Sequence, residues 1–167
     1  DGRSVGVPFD PAALPAHAEL CLSRGPAELA PGVLFLGEIP RTNLLEAPPV
    51  GETLRGGTWE PDRLLDDTAL ALATKSGLFL LTGCSHAGIC NMLQYALSLT
   101  GETRVAGVLG GLHLFEPGPQ LDFVLARLAQ LGAKTLYPCH CTSLAVKHAL
   151  CGAFDVHEVG VGLTLAL

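Results

Sequence analysis

Residues 77–91 read GLFLLTGCSHAGICN: an apolar run, a glycine-flanked turn, His86, and then a helical pattern. Two later stretches repeat the arrangement. RVAGVLGGLHLFE over 104–116 carries His113, and KTLYPCHCTS over 134–143 carries His140. In an open α/β sheet, residues just past the carboxyl ends of parallel strands gather along one edge, where ligands bind. One histidine there would be an unrelated loop residue. Three, in successive strand–helix units, point to a metal site.

Working outward, DDTALALATKSGLFLLTG over 66–83 alternates and then runs apolar, which predicts a hairpin turning at Ser76-Gly77. Ile89, Met92, Leu93, Ala96 and Leu97 recur at helical spacing, predicting a helix over 88–99. A strand over 105–109, a helix over 120–131, a strand over 134–138 and a helix over 143–150 follow. Closing strands are expected near 154–157 and 161–166. Residues 1–62 have a different texture, rich in Pro and Gly, as in VPFDPAALPAHAEL (7–20) and EAPPVGETLRGGTWEPD (46–62). GVLFLGEI (32–39) reads there as a strand, and the rest as loops and short extended pieces, for one or two strands in all. The chain divides into this connecting region, 1–62, and an α/β half, 63–167.

The 167 residues suffice for one domain with a sizeable core. Apolar residues make up 49% and mean hydropathy is +0.40, yet no apolar run approaches the ~18 residues a membrane span needs. The surplus fits strands buried on both faces, or a surface that expects a partner. A net charge of −6 with no basic face argues against nucleic acid. No secretory pattern opens the chain. It begins at Asp1 and its one methionine is Met92, so a processed, truncated or partial product is expected.

Of the six cysteines, Cys84, Cys139 and Cys141 lie within two residues of His86 or His140. A chain this apolar needs no disulfide framework, so reduced thiols in a cytoplasmic protein are expected. Cysteine with histidine can bind zinc, but the spacing is not CxxC and Cys139-His140-Cys141 alternates if extended. Small residues lining tight turns is the favoured reading of these cysteines. Imidazole suits zinc, iron and related ions. Helix N-termini after His86 and His140 would stabilise an anion held at the metal. No HxH or HxxxH pair occurs, so the three histidines make only part of a site.

DDTALALATKSGLFLLTGCSHAGICNML (66–93), GVLGGLHL (107–114) and YPCHCTS (137–143), with PGVLFLGEIPRT (31–42) upstream, resemble the carboxyl-terminal half of the metallo-β-lactamase fold. They are most similar to the branch typified by dihydropterin–ribofuranosylaminobenzene 5′-phosphate synthase-like metallo-hydrolases. The resemblance runs from about Gly32 onward. It implies an αββα sandwich, of which this chain supplies mainly the carboxyl-terminal half. It also implies a divalent metal, zinc foremost with manganese or iron as alternatives. The implied substrate is a small phosphorylated, pterin-like or otherwise anionic molecule. By the same resemblance, His86 and His140 are metal ligands, and His113 stands where many members place a bridging aspartate. The HxHxDH loop of the family's other half has no counterpart here. The resemblance therefore implies completion by another chain or segment, or by self-association. The alternative is a non-catalytic half-fold acting through association, with weak or no metal binding.

Further residues complete the reading. Arg41 is a candidate to clamp a phosphate or carboxylate, with a surface ion pair to Glu38 as the alternative. Asp66 and Asp67 could support a ligand histidine or simply start a strand. Ser143 can cap a helix. His148 and His157 read as solvent-facing or locally bonded, and His17 as uninvolved. Trp59 and Phe115 read as core packing in preference to pocket lining.

Overall fold

The computed structural model describes residue 10, residues 13–15 and residues 18–167. His17 lies outside the described residues. A seven-stranded sheet runs β1-β2-β5-β6-β7-β8-β9, where β1 is Ala27–Ala30, β2 Val33–Phe35, β5 Ala69–Thr74, β6 Gly77–Thr82, β7 Val105–Gly110, β8 Thr135–Pro138 and β9 Asp155–Val156. A separate ribbon pairs β3 (Glu52–Arg55) with β4 (Thr58–Pro61). Pairing is antiparallel from β1 to β6 and parallel from β6 to β9. The parallel steps are crossed by α1 (Ile89–Thr100), α2 (Pro119–Gln130) and α3 (Leu144–Leu150). The architecture is mixed α/β, as the sequence predicts.

Alternation assigns the two faces of the sheet. Ala69, Ala71, Leu78, Leu80, Val108 and Leu136 join the helices' apolar residues in one core. α1 contributes Ile89, Met92, Leu93 and Ala96, a stripe at 3.6-residue period, and ends on Gly101 in the left-handed conformation. α2 starts on Pro119, whose missing N–H costs nothing in a first turn, and buries Leu121, Val124 and Leu128. Ser143 caps α3 by accepting from the Val146 N–H, 3.2 Å. The opposite face carries Val33, Phe35, Leu70, Leu72, Phe79, Leu81, Leu109 and Tyr137, of which only Phe79 is fully buried. Val159, Leu163, Leu165 and Leu167 of the carboxyl-terminal segment line an apolar groove with Leu72, Phe79, Leu81 and Leu109.

The helices and inner strands fall within a residue or so of their predicted bounds. The hairpin turn is Lys75-Ser76 rather than Ser76-Gly77, because Thr74 pairs directly with Gly77. The Thr74 hydroxyl fixes the turn, accepting from the Ser76 N–H at 3.1 Å and donating to the Gly77 carbonyl at 2.7 Å. Residues 161–166 form no strand. Gly162 takes φ 90, and the Leu163 N–H turns back to the Gly160 carbonyl instead of joining a ladder. The connecting region is more structured than predicted: β1 and β2 extend the main sheet, and β3–β4 form a ribbon.

Residues 42–46 are held on the amino end of α1. The buried Glu46 carboxylate accepts from the N–H groups of Cys90 (2.9 Å) and Asn91 (3.0 Å). The Asn91 side chain donates to the carbonyls of Asn43 and Ala87 and accepts from Thr42 and Asn43. Gly88 stands against Glu46; a Cβ there would run into the carboxylate stem. The anion at this helix terminus is therefore a residue of the chain itself, not the external ligand expected from the sequence.

Burial holds the Glu46 carboxyl above its usual range, outweighing its hydrogen bonds. A carboxyl raised in the folded state favours folding most below its unfolded pKa, and loses that contribution as pH rises through the folded value. Glu46→Gln should therefore flatten stability across the weakly acidic range relative to the parent. Glu46→Ala strands two buried N–H groups and should cost about 2 kcal/mol. Denaturant titrations at several pH values check both; an unchanged pH profile in Glu46→Gln would contradict the assignment.

Candidate metal centre

Three loops, 83–88, 111–118 and 139–143, leave the carboxyl ends of β6, β7 and β8 side by side, and the backbone stitches them together. Gly111 N–H donates to the Gly83 carbonyl (2.7 Å), Cys139 N–H to Gly110 (3.0 Å), Leu114 N–H to Cys141 (3.2 Å) and Ser143 N–H to Leu114 (3.0 Å). Two buried hydroxyls add to this. Ser85 donates to the Gly111 carbonyl at 2.7 Å, and Thr142 accepts from the Leu112 N–H at 3.0 Å. Nothing in the spacing of the sequence marks either hydroxyl for this work.

Each loop holds one non-glycine residue in the left-handed region: Ser85 (φ 59), His113 (φ 49) and His140 (φ 50). For residues with a Cβ this costs roughly 1–2 kcal/mol apiece. Such strain persists where the surroundings over-determine it, and it clusters at functional sites. Here it turns His113 and His140 themselves, and the residue preceding His86.

The imidazoles of His86 and His113 lie against one another, ring centroids 4.3 Å apart, and the Phe115 ring stands nearly perpendicular to His113, centroids 5.0 Å apart. Burial, and next the neighbouring His86, hold His113 below the usual imidazole range. That favours the neutral ring over the charged one. The Nδ1 of His86 is buried and has no hydrogen-bond partner among the described residues. Beside it, Asp67 accepts from the Ala87 N–H at 2.7 Å, while burial pushes its carboxyl above the usual range. His86, Asp66, Asp67, Thr68, Val50 and Leu64 line a hollow of about 470 Å³. Asp67 thus braces the loop of His86 from a position two residues ahead of β5.

His140 has different company. Among the described residues, the group of three donors whose ligating atoms all lie within 4.8 Å of one another is Cys84, His140 and Cys141. The two cysteines are half-buried and His140 is exposed. Cys141 Sγ donates to the Cys84 carbonyl at 3.5 Å, and burial, with Cys141 beside it, pushes the Cys84 thiol up to about 11. The turn-lining reading fits Cys139, which stands outside this group; Cys84 and Cys141 instead face a histidine. All six cysteines are free thiols.

Several expected roles change. Arg41 makes no ion pair with Glu38 and presents no free fork to an anion. Its terminal nitrogens donate to the carbonyls of Arg63 (2.6 Å), Leu64 (2.8 Å) and Ile39 (3.4 Å), tying the connecting region together. Trp59 and Phe115 are not core residues: they are 63% and 54% exposed. His157 bonds Asp155 at 3.0 Å and stacks on Tyr137, and His148 is exposed, both as expected.

Comparison with known proteins bears on the chain as a whole. No protein-family model matches the chain. It is 33% identical over 132 residues to the 7,8-dihydropterin-6-methyl-4-(beta-D-ribofuranosyl)-aminobenzene-5′-phosphate synthase of Methanocaldococcus jannaschii, a match covering 76% of this chain and 45% of the relative. A second protein of that organism, uncharacterized, is 30% identical over 128 residues, covering 75% of this chain and 46% of its own length. The chain thus spans about half the length of the curated relatives it matches. In structure it resembles Tm1679, a metal-dependent hydrolase of the beta-lactamase superfamily, with TM-score 0.76 and 29% identity across 89% of this chain and 58% of that one. Fold and likeness together give the chain a metallo-β-lactamase-like fold. Within it, the chain is similar to the dihydropterin–ribofuranosylaminobenzene phosphate synthase branch.

The strain at His140 is directly testable, because its exposed side chain gives up little packing when removed. His140→Gly should be about 1 kcal/mol more stable than His140→Ala. Equal thermal midpoints for the two variants would show that the left-handed backbone is not held in solution.

Proposed function

We propose that this chain contributes part of the metal site of a metal-dependent hydrolase of the metallo-β-lactamase superfamily. The observation that carries the reading is the loop edge itself. Strained backbone aims His113 and His140, and His86 keeps a buried ring nitrogen without a partner. That nitrogen, on a ring half-buried beside a neutral imidazole, suits a cation better than any protein group nearby. His86 and His140 are assigned as ligands, and His113 as a third imidazole for the metal or the substrate. Zinc is the first choice of ion, with manganese or iron as alternatives. When bound, such an ion supplies Lewis acidity and lowers the pKa of its water.

The substrate class in this reading is a small phosphorylated or otherwise anionic molecule. The chain's own residues have narrower tasks. Asp67 holds the His86 loop through the Ala87 N–H, Ser85 and Thr142 hold the neighbouring loops in register, and exposed Phe115 walls the His113 side. Three histidines leave a two-ion centre short of ligands. The remainder is assigned to another segment or chain, or to a second copy. The half-covered apolar face opposite the helices supports this, and it equally favours a second reading, a half-fold that works through association. No helix among the described residues is long and apolar enough to cross a membrane.

Two measurements separate these readings. In the complete assembly, His86→Ala and His140→Ala should each lose most of the bound metal by elemental analysis; full stoichiometry in both would remove the metal assignment. Sedimentation of this chain by itself should show association, with negligible phosphoesterase activity. A cooperative monomer that turns over phosphoesters in the presence of metal would mean that the site is self-contained.

A further inference from the structure

We infer that Cys84, His140 and Cys141 form a metal site of their own, with two sulfurs and one nitrogen, for a borderline-soft divalent cation such as zinc. The inference touches the proposed hydrolase site at one residue, His140, and rests on that reading only for the expectation that metal reaches this edge. The remainder is geometry. The three donor atoms lie within 4.8 Å of one another, close enough for small side-chain rotations to bring them onto one ion. They come from two loops that the backbone already locks together through β7, so the group is assembled before any ion arrives. The space for it is built in. A Cβ on Gly111 would sit 2.5 Å from Cys141 Sγ and 2.9 Å from the Gly83 carbonyl, so glycine at that position leaves the sulfur its place.

Chemistry selects the ion. Thiolate and imidazole together favour zinc over magnesium or calcium, which take oxygen ligands. Three protein donors fill three positions of a tetrahedron and leave the fourth open, the pattern of exchangeable rather than purely structural zinc. His140 is the exposed member of the group, so an ion held there would be reachable from solvent on that side. On binding, each thiol gives its proton to the buffer and each sulfur donates an electron pair; nothing is oxidised or reduced. His140 links this set to His86 and His113 along the same edge. Cys139, adjacent in sequence but outside the group, provides an internal control.

The test is a Co²⁺ titration of the full chain, fully reduced, followed by absorbance. Wild type should develop the near-ultraviolet sulfur-to-cobalt charge-transfer band that imidazole and carboxylate ligands do not produce. Cys84→Ser and Cys141→Ser should each lose most of that band and bind cobalt at least about tenfold more weakly. Cys139→Ser and Cys90→Ser should keep it. His86→Ala should also keep it, which separates this site from the hydrolase site. X-ray absorption of the zinc-loaded wild type, which needs no variant to fold, should count two sulfur neighbours. A wild-type spectrum without the sulfur band, a band that survives in both Cys84→Ser and Cys141→Ser, or a zinc shell without sulfur would overturn the inference. Each of those results would leave the hydrolase reading to be judged on His86.

Discussion

The backbone of Gly110 and Gly111 sits where a Cβ on either residue would strike a neighbour: Thr82 for the first, Cys141 and Gly83 for the second. These two residues join β7 to its loop in the middle of the parallel strands. Their N–H and carbonyl groups receive or supply the bonds that hold the flanking loops, from Gly83, Ser85 and Cys139. Every donor at the loop edge depends on this close approach. Were the strands spread to admit a side chain, Ser85 would lose its acceptor and Cys141 would move from Cys84. Buried polar backbone must be paired, so the three loops form one rigid unit, and the left-handed residues at Ser85, His113 and His140 persist because that unit over-determines them.

Electrostatics separates the functions of neighbouring elements. The amino end of α1 is the nearest positive pole to His86, but Glu46 already fills it from the connecting region. The same contact presses Glu46 against Cys90 and holds that thiol far above its ordinary range, through burial first and the carboxylate second. Cys90 is therefore an inert, packed thiol, whereas Cys84 and Cys141 lie half-exposed beside an imidazole. One cysteine population serves the core and another faces the loop edge. Only the surroundings, not the residue type, tell them apart.

The sheet and its helices were legible because their signals are local. Ile89, Met92, Leu93 and Ala96 repeat at helical period, and Leu78 to Leu81 form a continuous apolar run, the mark of a central strand. The positions of His86, His113 and His140 after three strands were legible for the same reason. What the sequence concealed depends on contacts distant along the chain. Glu46 meets Cys90 across 44 residues and Cys84 meets Cys141 across 57, and no spacing rule connects either pair. Arg41 looked like an anion clamp because its fork suits carboxylates; its partners, the carbonyls of Arg63 and Leu64, carry no side-chain signal at all. Trp59 and Phe115 misled because aromatic size favours burial on average, while a two-stranded ribbon and a loop rim have no interior to receive them.

Apolar burial is least complete on the face opposite the helices. Val33, Phe35, Leu70, Leu72, Leu81, Leu109 and Tyr137 share it, all only partly buried. At about 25 cal/mol per Å² of apolar surface, leaving such a face in water forfeits several kcal/mol, comparable with the whole stability of a domain. The carboxyl-terminal segment lies against part of it through Val159, Leu163, Leu165 and Leu167, yet without ladder hydrogen bonds, and Leu163 and Leu167 remain exposed themselves. The face and the loop edge that carries His86, His113 and His140 meet at the same three strands, β6, β7 and β8, so anything packed on the one would lie beside the other.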